Sequence, residues 1–205
     1  LTSRNSVESL EISMENLVSL RNPMSSQQEI MRPSLLSEML ETLNWNLNRK
    51  NILLQLFEIN KVYIMNKVTS QAEERMHLSI GICGAKTGNW KEKPRELDFF
   101  DLKGTVEMLI DSLGVRDYKI EKTEHPSFKE TLCTAVNAGG AACGVFGEIK
   151  EDTARRFDIK RKVFAAEIYL NELLASANLK KTFTSLPKYP SVTRDIAILL
   201  EDTIR

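Results

Sequence analysis

The sequence predicts an α+β domain with a largely antiparallel sheet flanked by helices, and three observations carry that reading. Apolar residues recur at helical spacing in two places. The first is Leu35, Leu36, Met39, Leu40, Leu43 and Leu47; the second is Leu102, Val106, Leu109, Ile110 and Leu113. Strict alternation occurs at Leu78, Ile80 and Ile82, and again at Phe164, Ala166, Ile168 and Leu170. Residues 132–149 read as a hairpin, with turn chemistry at 137–140. Strands with helices between them and hairpin-like links define the class.

The elements follow in chain order. A helix is expected over residues 33–48, with Pro33 in the first turn, where a missing N–H costs nothing. Residues 53–65, dense in apolar and β-branched side chains, predict one or two buried strands. Residues 66–76 are polar and read as a loop, as do residues 84–97 around Gly88 and Pro94. The second helix can be capped by Asp98 or Asp101 and ended by Gly114. A strand is expected at 118–122, a short charged helix at 151–157, and a short helix from Asn171 after the last alternating strand. A loop with Pro187 and Pro190 then leads into a further strand, and places a domain boundary near residue 181.

Composition narrows the function classes. The chain has 205 residues, enough for one large domain or one domain and part of a second. Lys+Arg and Asp+Glu both total 28, so the net charge is zero and broad attraction to nucleic acid is disfavoured; any RNA contact must come from a local patch. Cys83, Cys133 and Cys143 are odd in number and lack CxxC spacing, which argues against a disulfide framework or a zinc site and for a cytoplasmic setting. No apolar run approaches the ~20 residues of a membrane span. The opening LTSRNSVESLE carries no signal-peptide pattern, and both ends read as cut, so a fragment of a longer protein is expected.

Local chemistry offers no active site. His77 and His125 stand apart from any nucleophile motif, and no set of His, Cys and carboxylates has metal-ligand spacing. The glycines of NAGGAACGVFGE match neither GxGxxG nor GxxxxGK[ST], and read as a turn plus strand glycines. Asp98 and Asp101 read as helix caps. Trp90 is either a ligand or partner anchor or an aromatic folded back on the core. Residues 150–162 set Lys150, Arg155, Arg156, Lys160, Arg161 and Lys162 against Glu151, Asp152 and Asp158, an excess suited to RNA backbone or to a solvated helix face.

The order of segments says more. NPMSSQQEIMRPSLLSEMLETLNWNLNRKN, LFEINKVY, DFFDLKGTVEMLIDSLG, GVFGEI, FAAEIYLNELL and LPKYPSVTRDIAIL follow one another collinearly. In this the chain resembles the β subunit of bacterial phenylalanyl-tRNA synthetases over most of its length. The resemblance implies a class II aminoacyl-tRNA synthetase-like domain over residues 1–181, its antiparallel sheet flanked by helices. It further implies that residues 182–205 begin a ferredoxin-fold anticodon-binding domain. The family enzyme is an (αβ)2 tetramer that attaches phenylalanine to its tRNA with ATP and magnesium, and its α subunit performs the chemistry.

The β copy is inactive in that family, and the residues agree. Where the active copy carries an arginine for the ATP phosphate, this chain aligns Ile64, which cannot neutralise a phosphate. Glu167 and Tyr169 align with glycines of the active copy, and Glu172 with an arginine. The usual Gly-Glu-Leu-His-Pro is GEIKE at 147–151. The resemblance thus implies no catalytic, cofactor or metal residue here. It suggests contact with the α subunit through Arg32, Asn44, Asn46, Asn48, Phe57 and Tyr63, and RNA contact through Lys188 and Arg194. The rival readings are a stand-alone RNA-binding module derived from a synthetase, and a self-sufficient ligase.

Overall fold

A computed structural model describes residues 1–88, 90, 93–180, 183, 193–197 and 199. The expected second module from residue 182, with Lys188, lies largely outside the described residues. The elements run α1 (Arg4–Ser9), β1 (Val18–Ser19), β2 (Ile30–Met31), α2 (Leu36–Leu47), β3 (Leu53–Asn66), β4 (Gln71–Lys86), β5 (Arg95–Glu96) and α3 (Phe99–Ser112). They continue β6 (Tyr118–Lys122), β7 (Phe128–Ala138), β8 (Ala141–Ile149), α4 (Glu151–Arg156), β9 (Val163–Tyr169) and α5 (Leu170–Ala175).

The main sheet has the order β3-β4-β9-β8-β7-β6, with β5 pairing the end of β4, and every pairing is antiparallel. Each face buries its own core. On one, Leu36, Met39, Leu40 and Leu43 of α2 meet Leu54, Cys83, Val163 and Ala165, with Phe157 and Ile159 beyond α4. On the other, Leu102, Val106 and Ile110 of α3 and Leu173 of α5 meet Ile80, Ile82, Phe146, Phe164 and Ile168. Both sets of residues in the alternating strands are therefore inward, which is why β9 reads as almost continuously small or apolar.

The start of α3 confirms the capping expectation. Asp98 accepts from the backbone N–H groups of Phe100 and Asp101, and the Asp101 carboxylate accepts in return from the Asp98 N–H. Arg95 forks onto both Asp101 oxygens (2.6 and 2.7 Å) and Lys86 adds a third contact, so these cations hold the Asp101 carboxyl well below the usual range. The β7–β8 turn falls on Gly139 and Gly140, both at positive φ (58° and 81°), the geometry of a tight hairpin.

Four expectations need correction. Helix α2 begins at Leu36, not Pro33, because the Leu35 N–H is taken by the Glu167 carboxylate and the Leu36 N–H by Ser34 Oγ. Residues 53–65 form a single strand at the sheet's edge, and it is only partly buried: Leu54 and Val62 face in, but Phe57 is 73% exposed and Ile59 53%. Residues 66–76 are not a loop; the turn occupies 67–70, and β4 starts at Gln71. A ladder needs only backbone groups, so the polar side chains there cap a solvated two-stranded ribbon, with pairs such as Lys61–Glu74 and Arg75–Glu73. Within 84–97, the strand continues to Lys86 and a short strand returns at Arg95–Glu96.

Gly84 sits at φ 100°, and a Cβ there would stand 1.9 Å from the Ile52 carbonyl oxygen. Gly84→Ala is expected to destabilise the domain by more than about 1 kcal/mol, read as a lowered thermal midpoint by circular dichroism.

Candidate functional site

The described residues hold one densely connected polar cluster in the interior, and it lies under the N-terminus of α2. In the sheet register Glu167 of β9 stands opposite Ser79 of β4 and Val145 of β8. Its side chain shares the α2 face with Val163 and Ala165. The carboxylate accepts from Ser34 Oγ (2.7 Å), from the Leu35 backbone N–H (2.9 Å) and from His77 Nδ1 (2.9 Å). A carboxylate oxygen can only accept, so the His77 proton sits on Nδ1. Ser34 Oγ in turn accepts from the Leu36 N–H (3.0 Å).

Helix starts leave backbone N–H groups unpaired and carry partial positive charge. Glu167 and Ser34 answer both needs at α2. The set is sealed from solvent, with Glu167 and His77 each 5% exposed and Ser34 4%. The His77 ring lies 4.8 Å from that of Tyr169. One turn further along, Met39 and Leu43 press on Gly81; a Cβ there would meet the Met39 sulfur at 2.7 Å. The space between α2 and the β4–β9 pair is therefore filled.

The other residues singled out from sequence do not converge on this cluster. Ile64 lies in the β3–β4 ribbon opposite Glu73. Glu172 lines a separate cleft beside Asp117, Gly139 and Ser176, with one carboxylate oxygen buried and unbonded. Arg32 is a tie: its Nε donates to the Lys61 carbonyl (3.0 Å), its guanidinium to Glu58 (3.0 Å), and its own carbonyl accepts from the Tyr63 N–H (2.9 Å). It covers part of the outer edge of β3. Asn44 and Asn48 bond each other, and Asn46 reaches Thr42 and Asn51, so these asparagines finish the C-terminal turn of α2. Arg194 is exposed. Trp90 is also exposed and is not folded onto the core.

Phe57 belongs elsewhere. With Ile59, Ile80, Met108 and Leu109 it lines an apolar groove of about 540 Å3 between the edge strand and α3. That groove opens on the sheet face opposite α2, so Phe57 and the asparagines of α2 cannot form one continuous patch. Sequence reading selected both, and missed Ile59 and Met108, because periodicity marks apolar residues without saying which remain uncovered.

Burial shapes the remaining titratable groups. It pushes the Cys83 thiol up to about 11, which makes it a core residue rather than a nucleophile. It raises Glu38, only partly offset by the Ser37 hydroxyl. It lowers His125, whose ring meets Phe128 edge-on and whose Nδ1 accepts from the Ser127 N–H (3.2 Å).

Among known structures the chain is similar to two of pyrrolysyl-tRNA synthetase from Desulfitobacterium hafniense, with TM-scores of 0.63 and 0.62. Sequence identities are 12% and 14%; the match covers 84% of this chain and 56% and 58% of those. The fold is that of the class II aminoacyl-tRNA synthetases. Residues 1–170 match the family model "Phenylalanyl tRNA synthetase beta chain CLM domain", and the chain belongs to that family. Phenylalanine–tRNA ligase β subunits are similar to it over 93% of its length: 33% identical in Clostridium acetobutylicum, 35% in Clostridium tetani and 34% in Fusobacterium nucleatum. The chain spans about a quarter of those relatives, 23% of the first two and 24% of the third.

Glu167→Ala leaves Ser34, His77 and the Leu35 N–H without their acceptor. A loss of roughly 2 to 5 kcal/mol is expected, with Glu167→Gln milder, measured by urea unfolding. His125 gives a pH dependence. Its folded value lies below the ordinary 6.5, so the unfolded chain takes up the proton first. This contribution to stability is constant well above pH 6.5, where both states are neutral, and falls as the pH drops through 6.5 towards the lower folded value. His125→Asn, which keeps an acceptor, is expected to flatten the difference in urea midpoint between about pH 7.5 and about pH 5.5.

Proposed function

We propose that the chain is a non-catalytic part of a phenylalanine–tRNA ligase β subunit, a scaffold that packs against the catalytic α subunit of an (αβ)2 enzyme. The observation that carries this reading is the engagement of Glu167. At a position where the resemblance gives the active copy a glycine, this chain holds a buried carboxylate tied to a helix start. The residues there do not fit ATP. The volume is taken by protein, and a carboxylate repels a triphosphate. ATP, magnesium and the joining of phenylalanine to tRNA belong on this reading to the complete enzyme, in the cytoplasm.

The apolar groove at Phe57 supplies a surface for α. Phe57, Ile59 and Met108 are large, exposed and contiguous across β3 and α3, the composition of a permanent subunit contact. Tyr63 and Arg32, on the same edge strand and its tie, flank that contact; Asn44, Asn46 and Asn48 provide a polar surface on the other face. Residues from about 182, with Lys188 and Arg194, open the module that meets tRNA. A stand-alone RNA-binding module is disfavoured by the zero net charge.

Co-expression with the cognate α subunit tests the reading. Stable co-purification is expected, with no aminoacylation by the chain alone; turnover without α would refute it. Phe57→Asp with Ile59→Asp is expected to weaken co-purification by at least about tenfold, since a charge is desolvated at the contact, while the variant's melting point stays near that of the parent.

A further inference from the structure

The basic excess of residues 150–162 is six Lys and Arg against three Asp and Glu, and the structure shows where it goes. Lys150 and Arg156 both engage Glu11 (3.6 and 2.8 Å). Arg155 engages Glu151 and Asp152 (3.2 and 3.4 Å). The charge left over sits in one turn. Lys160, Arg161 and Lys162 are exposed, and among the described residues no carboxylate pairs with them.

The backbone leading into the turn is fixed by hydrogen bonds. Asp158 adopts φ 57°, and the N–H groups of Asp158 and Ile159 close back onto the carbonyls of Arg155 and Ala154 (both 2.9 Å). Ile159 and Val163, both buried, anchor the turn on either side. The three cations, with Arg155, border a cavity of about 340 Å3 floored by Ile149 and Ile159. Two carboxylates reach the same cavity, Glu148 and Glu151; Lys129 engages the first (3.6 Å) and Arg155 the second.

We propose that the Lys160–Lys162 turn is a contact surface for the phosphate backbone of RNA. The inference rests on the reading that tRNA is the substrate of the complete enzyme. Binding to phosphate draws free energy from charge alone, through release of condensed counterions. An acidic protein partner would instead call for apolar anchors around the charges, and the apolar residues at this turn are buried. No aromatic side chain lines the cavity, so bases are not stacked and the contact is blind to sequence. The backbone leading into the turn is already set, so the ordering cost on binding falls on the three long side chains.

The test uses the full-length β subunit assembled with α. Filter binding of tRNA is followed from about 50 to about 300 mM salt for the parent and for K160A/R161A/K162A. The parent should bind tRNA, and the variant should bind it roughly 10- to 100-fold more weakly at low salt. The slope of log K against log salt should fall by roughly one for each phosphate that is no longer neutralised. Cognate and non-cognate tRNA should lose affinity alike, and ATP–pyrophosphate exchange should not change. Equal affinity and slope in parent and variant would overturn the surface while leaving the ligase reading intact. A parent enzyme that binds no tRNA would strike the reading itself. K160R/R161K/K162R should keep the parent slope; if it behaves like the alanine variant, the effect is structural and the proposal fails. Polyglutamate that displaces tRNA at equal charge concentration would reassign the turn to an acidic partner.

Discussion

The hydrogen bonds of one carboxylate join three parts of the domain distant in sequence. Glu167 lies on β9, His77 on β4, and Ser34 and Leu35 at the start of α2. An isolated helix of the length of α2 is marginal in water, and most of its stability must come from tertiary packing. The carboxylate satisfies amides that would otherwise be buried without partners and complements the helix dipole. Met39 and Leu43 can then settle on Gly81, where the missing side chain admits them. Polar satisfaction and apolar packing thus require each other, and the helix closes this face of the sheet.

The opposite face follows a different logic. There α3 and α5 cover the centre of the sheet but stop short of β3, so the edge strand keeps apolar side chains in solvent. Arg32 and its neighbours shield part of the strand's free hydrogen-bonding edge. An edge guarded in this way, beside an unguarded apolar groove, suits side-chain contact with a partner better than strand addition.

Much of the fold was legible in the sequence. The helix stripes, the alternation at Leu78 to Ile82, the cap at Asp98 and the turn at Gly139 and Gly140 each reflect local chemistry, and each stands where that chemistry places it. Three of the four corrected readings have a clear physical reason. The apolar content of 53–65 says strand but not edge, since exposure depends on how many neighbours the strand finds. The polar content of 71–76 hides a strand whose stability lies in its backbone ladder. The start of α2 was displaced because its acceptor comes from Glu167, more than a hundred residues away. The cluster itself was only half visible: Glu167 stood out as a bulky acid at a glycine position, but nothing local links it to His77 or Ser34.

The β3–β4 ribbon carries a mechanical consequence. Strand β4 pairs with β9 only from His77 to Cys83; one residue earlier, the Met76 N–H is taken by the Asn171 side chain instead (2.9 Å). From there to the turn the strand has a neighbour on one side alone. What braces this stretch is the N-terminal segment acting through β3: Val62 is fully buried, the Tyr63 N–H reaches the Arg32 carbonyl (2.9 Å), and Lys67 pairs with Glu15 (2.6 Å). Strand β4 is thus anchored by the sheet at one end and, through β3, by the first residues of the chain at the other, so the N-terminal segment serves as the ribbon's outer brace.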